Sequence, residues 1–182
     1  MPDHRDFCLP KELVDRARLV VEANRKAGRR VAVAESCTGG LVSAALTEIP
    51  GSSEMFEAAY VTYSNASKVH ELKVSAEVVE TFGAVSVATA WAMARGALAA
   101  SDADVAVAIT GIVGPGGGSP SKPVGTVVFA RAESDADPSQ IVADQKLFEE
   151  KTRSGVRLQA ALCALELLMP VPPASDSSPP AP

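Results

Sequence analysis

The sequence predicts an α/β domain in which a mixed β-sheet is layered between helices. Three observations predict it. Short β-branched apolar runs alternate with amphipathic stretches through the first two thirds of the chain. VAVAIT, residues 105–110, is a continuous apolar run of the kind shown by a strand buried on both faces. VGTVVFARA and QIVADQKLF then bracket the turn-rich ESDADPS and read as a hairpin. A length of 182 residues fits one domain, expected over residues 1–169. Hydrophobic residues are 47% but aromatics only 4%, so the core must be built from Ala, Val, Leu and Ile.

The first element is an amphipathic helix over residues 10–27, with Leu13, Ala17, Val20, Val21 and Ala27 on one face. Asn24 interrupts that stripe, and Gly28 is placed to end the helix. RRVAVAE gives a short strand at 31–34, followed by a helix from Thr38 to Ile49 that Pro50-Gly51 stops. A second strand is expected over 58–63 and a helix over 65–72. Two more helices are expected over 76–82 and 87–100, the latter with Ser86 as N-cap. After VAVAIT, the stretch GIVGPGGGSPSKP carries five glycines and three prolines and cannot be regular structure. A last helix places Val156, Ala160, Cys163 and Leu167 at helical spacing. From Pro170 six of the last 13 residues are proline, so residues 170–182 are expected to be a disordered tail.

Composition excludes several function classes. A net charge of −5 leaves no basic footprint for nucleic acid. No apolar run reaches the roughly 18 residues of a membrane span, and the opening MPDHRDFCLPK lacks the apolar region of a signal peptide. Cys8, Cys37 and Cys163 are scattered and lack CxxC spacing, which suits free thiols in a reducing cytoplasm. The expected setting is therefore cytoplasmic, and a homo-oligomer is the expected assembly.

Ligands of α/β sheets bind at the carboxyl ends of the strands. The segments that follow the first three strands are ESCTGG, YSNASK and TGIVGPGGGSPSKP, and they hold nearly all the distinctive polar chemistry of the chain. The standard machines are poorly supplied. Only His4 and His70 are present, and His70 lies two residues, about 200° on a helix, from Lys68. No HExxH, no Cys/His cluster, no Walker A ending and no GxGxxG after a strand is found, so neither a metal nor a cofactor is expected.

A serine and a lysine remain. A lysine whose amine is desolvated can act as general base for serine. Ser36 would sit at a strand-to-helix turn, although GxSxG is absent. The N–H groups of Thr38, Gly39 and Gly40 would then face an oxyanion, and Tyr63 would relay a proton or hold the amine. Each residue also has a plainer role open to it. Ser36 or Thr38 can simply cap a helix, Cys37 can be a small core residue, and Lys68 and Tyr63 can be an ordinary surface charge and strand residue. The glycine loop fits a linker as well as an anion-binding nest. The residues alone reach an α/β domain with an anion or nucleotide pocket, and Ser/Lys hydrolysis is one candidate chemistry.

VAVAESCTGGLVSAALTEIPGSSEMFEAAYVTYSNASK, then FGAVS, then VAVAITGIVGPGGGSPSKPVGTV closely resembles the CinA C-terminal domain family, which includes the nicotinamide-nucleotide amidases. The resemblance covers about residues 10–169. It implies hydrolysis of the carboxamide of nicotinamide mononucleotide to nicotinate mononucleotide and ammonia, without cofactor or metal. By motif position it implies Ser36 as nucleophile, with Lys68 and Tyr63 from TYSNxxK as its catalytic partners. It also implies Asn65, Thr110 and Gly111 as further site residues, and the loop holding Gly116 and Gly117 against the substrate. The alternatives are a silent nucleotide-binding module of the same fold and an amidase for another amide. Many family members carry an N-terminal domain resembling molybdopterin-binding and pyrophosphatase-like proteins. This chain has no room for one, so only the amidase activity is expected. The family's arginine-bearing FxGDR-like segment is altered here to FEEKTR, which leaves the roles of Arg153 and Arg157 open.

Overall fold

The computed structural model describes residues 8–137, 140, 142–150 and 152–170. The tail expected to be disordered lies outside the described residues from position 171 on. In chain order the elements are α1 (Lys11–Ala27), β1 (Val31–Glu35), α2 (Leu41–Thr47), β2 (Phe56–Val61), α3 (Asn65–Leu72), α4 (Ala76–Phe82), α5 (Val87–Ala99), β3 (Val105–Gly111), β4 (Thr126–Glu133), β5 (Val142–Leu147) and α6 (Arg153–Leu167). One five-stranded sheet runs in the order β2-β1-β3-β4-β5. β1 pairs parallel with β2 and β3, while β4 pairs antiparallel with β3 and β5. The sheet is mixed and layered between helices, as the alternating strands, helices and hairpin predict.

Alternation within the strands sorts the two layers. Side chains of successive strand residues point to opposite faces. In β1 and β3 the valines and isoleucine, Val31, Val33, Val105, Val107 and Ile109, face α1, α2 and α6. The intervening alanines, Ala32, Ala34, Ala106 and Ala108, face α5, whose own contact residues are small or flexible: Ala90, Met93, Ala94 and Ala97. Each fully buried Val or Ile contributes about 1.5–3 kcal/mol over its exposed state. The alanine face instead lets helices approach closely. On the same side of the sheet α3 and α5 also meet closely: a Cβ at Gly96 would stand 2.0 Å from the carbonyl oxygen of Leu72 at the end of α3.

Several boundaries and burial assignments differ from the sequence expectation, among them the end of α2, which falls at Thr47 rather than Ile49. Helix α2 starts at Leu41 rather than Thr38, because Gly39 and Gly40 take left-handed conformations (φ 61° and 92°) that no α-helix accommodates. Strand β2 starts and ends two residues earlier than expected, set by its pairing of Phe56 with Val31 and Val61 with Glu35. In α1, Ala27 is exposed, while Asn24, read as an interruption, is fully buried. Its amide donates to the carbonyls of Val20 and Leu168 and its oxygen accepts from Arg29, so burial leaves no polar group unsatisfied. In α6, Val156 and Ala160 are buried with Ala161, Ala164 and Leu165, whereas Cys163 and Leu167 are only half-buried. Gly28 ends α1 in the left-handed conformation and Ser86 caps α5 through Thr89 N–H, both as expected.

The connection after β1 runs through α2 on one face, and that after β2 runs through α3 to α5 on the other. The chain therefore leaves β1 and its neighbour in opposite directions, which opens a crevice at their carboxyl ends.

Candidate active site

Ser36 is the first residue past β1. Its N–H donates to the carbonyl of Ile109 on β3 and its carbonyl accepts from Gly39 N–H, so the turn that carries it is pinned to the sheet and closed on itself. The residue before it does the capping. Glu35 is fully buried, and its carboxylate accepts from three backbone groups: Gly40 N–H (3.0 Å), Val42 N–H (3.2 Å) and Ser43 N–H (2.9 Å). An anion at a helix N-terminus satisfies the orphan donors there and is favoured by the macrodipole.

This arrangement corrects two expectations. Gly39 and Gly40 cannot serve as oxyanion donors, because their N–H groups are already bonded to the Ser36 carbonyl and the Glu35 carboxylate. Thr38 caps nothing. Its hydroxyl is buried with no partner among the described residues, and its carbonyl accepts from Arg157 Nη2 at 2.7 Å. The N–H groups of Cys37 and Thr38 donate to no backbone carbonyl among the described residues and stand instead against the Cys37 sulfur; of the two residues only Cys37 lines the cavity beside Ser36.

Lys68 arrives from the other side. Ser64 caps α3 by accepting from Ser67 N–H, and Lys68 then lies on the inner face of that short helix, 1% exposed. His70, two residues on, points to solvent, as the helical angle requires. The Lys68 Nζ lies 3.0 Å from Ser36 Oγ, 2.8 Å from the Thr62 carbonyl and 3.3 Å from the Tyr63 carbonyl. Burial lowers its pKa below the ordinary 10.5, outweighing the neighbouring Cys37 sulfur, which acts to raise it. The neighbouring Cys37 goes the other way: burial pushes its thiol up to about 12, so it stays protonated.

A cavity of about 290 Å³ opens over this pair. Tyr63, Thr110, Gly111, Gly116 and Gly117 line it with Ser36 and Lys68. Thr110 donates its hydroxyl to the Ala84 carbonyl at 2.9 Å and so faces a wall from the FGAVS segment. Tyr63 holds the lysine through its main-chain carbonyl, not its phenol. The phenol oxygen accepts from Arg153 Nη2 at 2.9 Å, and Arg153 Nη1 donates to the Gly114 carbonyl at 2.7 Å. Arg153 thus reaches the cavity despite the altered segment in which it lies, whereas Arg157 braces the Thr38 turn. Thr38, Gly39, Gly40 and Asn65 lie off the lining; Asn65 is exposed in the first turn of α3. Sequence reading assigned Glu35 no role. An acidic residue at the end of an apolar strand and just before a Gly-Gly turn was the signal available for it. Among the described residues no three His, Cys, Asp or Glu side chains come together as a metal site would need. No helix among them is long and apolar enough to cross a membrane.

Comparison with known proteins places this geometry in context. Residues 14–171 match the family profile described as CinA C-terminal domain. A nicotinamide-nucleotide amidohydrolase PncC of Pseudomonas putida is 47% identical over 145 residues, covering 80% of this chain and 88% of that protein. A CinA-like protein of Syntrophobacter fumaroxidans is 46% identical over 163 residues, 90% of this chain but only 36% of its own length, so the chain spans about a third of that relative. Among solved structures, the competence/damage inducible protein CihA from Agrobacterium tumefaciens superposes with a TM-score of 0.84 at 42% identity, over 89% of this chain and 96% of that one.

Proposed function

The chain belongs to the CinA C-terminal domain family, and on that premise we propose that it hydrolyses the carboxamide of nicotinamide mononucleotide to nicotinate mononucleotide and ammonia. One observation carries the reading: a buried lysine amine of lowered basicity, 3.0 Å from the hydroxyl of a serine at the carboxyl edge of the sheet. The neutral amine has two N–H groups and one lone pair. The carbonyls of Thr62 and Tyr63 take the two N–H groups, which leaves the lone pair for the Ser36 hydroxyl proton.

In the first half-reaction Ser36 Oγ attacks the amide carbon while its proton passes to Lys68 Nζ. The carbonyl oxygen becomes an oxyanion. Cys37 N–H, next to the nucleophile and donating to no backbone carbonyl among the described residues, is the donor assigned to it in this reading. As the C–N bond breaks, the Lys68 ammonium returns the proton to the leaving nitrogen, which departs as ammonia. Water then attacks the Ser36 ester with the same amine as base, and nicotinate mononucleotide is released. Arg153 and the glycine segment supply the polar wall for the rest of the nucleotide. Relatives named as nicotinamide-nucleotide amidohydrolases support the substrate. Rapid quench of the protein with the mononucleotide, followed by mass spectrometry, should find the nicotinate mononucleotide acyl group on the peptide containing Ser36 and nowhere in Ser36→Ala. An adduct on Cys37, or the same adduct in Ser36→Ala, would sink the assignment.

A further inference from the structure

We propose that Lys122 is a positioning residue that sets the width of the substrate cavity, an inference that rests on the amidase reading above. The wall opposite the glycine segment is the turn of residues 82–86 between α4 and α5, which brings Ala84 and Val85 to the cavity. Four consecutive carbonyls of that turn accept from side chains. Phe82 accepts from Lys122 Nζ (3.2 Å), Gly83 from Ser86 and Thr89 (2.9 and 2.7 Å), Ala84 from Thr110 (2.9 Å) and Val85 again from Lys122 Nζ (2.8 Å).

Ser86 and Thr89 belong to the start of α5 and tie the turn only to its own helix. Thr110 and Lys122 come from β3 and the connection after it, the stretch that forms the other side of the cavity. Among the described residues, theirs are the side-chain hydrogen bonds that tie the turn of residues 82–86 to the opposite wall. Lys122 is well founded for the task. Its N–H donates to the carbonyl and hydroxyl of Ser119, and its carbonyl accepts from Ser119 N–H, which closes a tight turn beneath the amine. Its side chain lies outside the cavity lining, so it acts on the substrate through Ala84 and Val85 rather than by touch. A slot held on both sides is what a flat pyridine ring needs if its carboxamide is to reach Ser36 in one orientation.

The test is Lys122→Met in the full chain. Two hydrogen bonds of ordinary strength hold the wall, so the KM for nicotinamide mononucleotide should rise about five- to tenfold with kcat within about twofold. Lys122→Arg, which keeps a donor, should restore most of the loss. Hydrogen exchange of the amides of residues 83–86 should quicken in Lys122→Met while that of β1 and β3 does not. Unchanged KM together with unchanged exchange would overturn the proposal, and so would a fall in kcat at constant KM. Should Lys122→Met fail to fold, Val85→Ala, which widens the same wall and leaves the clamp alone, must raise KM similarly; an unmoved KM there is equally fatal. Wild-type protein that turns over no mononucleotide would defeat the amidase reading, and the exchange measurement would still decide the clamp.

Discussion

Replacing Glu35 should unfold the turn that carries the nucleophile before it touches any reacting atom. In Glu35→Ala three backbone N–H groups lose their acceptor at once, those of Gly40, Val42 and Ser43. A buried donor left unsatisfied costs roughly 1–3 kcal/mol. Val42 is fully buried and bears that cost in full, whereas Gly40 and Ser43 are half-buried and can recruit water. The expected loss is therefore about 3–4 kcal/mol. For a domain of this size that lowers the melting temperature by roughly 6–16 °C. Glu35→Gln keeps the shape and one acceptor oxygen but turns an NH₂ group towards a donor, and should cost about 1–2 kcal/mol. Urea unfolding of the three proteins, with equal m-values, measures both differences. A Glu35→Ala protein within about 1 kcal/mol of wild type, or a Glu35→Gln protein as damaged as Glu35→Ala, would refute the capping account.

Three further outcomes are expected. Because burial lowers the Lys68 pKa below 10.5, kcat/KM should rise with pH and level off short of that value. Between the lowered pKa and 10.5 the unfolded chain binds more protons than the folded one. Stability should therefore rise with pH across that window, by about 1.4 kcal/mol for each unit of lowering, and Lys68→Met should flatten the rise in a pH series of denaturant melts. Gly96→Ala places a Cβ 2.0 Å from the Leu72 carbonyl oxygen. To escape, α3 must shift by about 1 Å, which should lower kcat/KM about a hundredfold through the displaced Lys68 amine; a variant of normal activity in the same assay would show that the α3–α5 contact does not set the site.

What was legible in the sequence follows from period and punctuation. VAVA marked two strands, and the unbroken apolar run VAVAIT also gave the burial of the second on both faces, because a continuous apolar run is visible without coordinates. Gly28 marked a helix end through a backbone conformation that few other residues adopt, whereas α2 stops at Thr47, two residues short of the Ile49 expected from Pro50-Gly51. The meeting of Ser36 and Lys68 was reached by eliminating histidine and metal mechanisms and by resemblance; no local pattern states that two residues 32 apart lie in contact. The Gly-Gly turn misled for a physical reason. Glycines just after a nucleophile look like donors, but donors can be consumed locally, and only coordinates reveal that a carboxylate one residue upstream takes the N–H of Gly40. Tyr63 misled similarly, since sequence names a side chain while the structure uses its carbonyl on Lys68 and lends the phenol to Arg153.

The central claim is that Ser36, activated by Lys68, cleaves the carboxamide of nicotinamide mononucleotide. Ammonia release from the mononucleotide by wild type, Ser36→Ala and Cys37→Ala tests it most directly. The account predicts steady release by wild type, a fall of roughly 10³-fold or more in Ser36→Ala, and activity kept in Cys37→Ala, whose thiol is held protonated by a pKa near 12. Release that survives in Ser36→Ala and disappears in Cys37→Ala would contradict it.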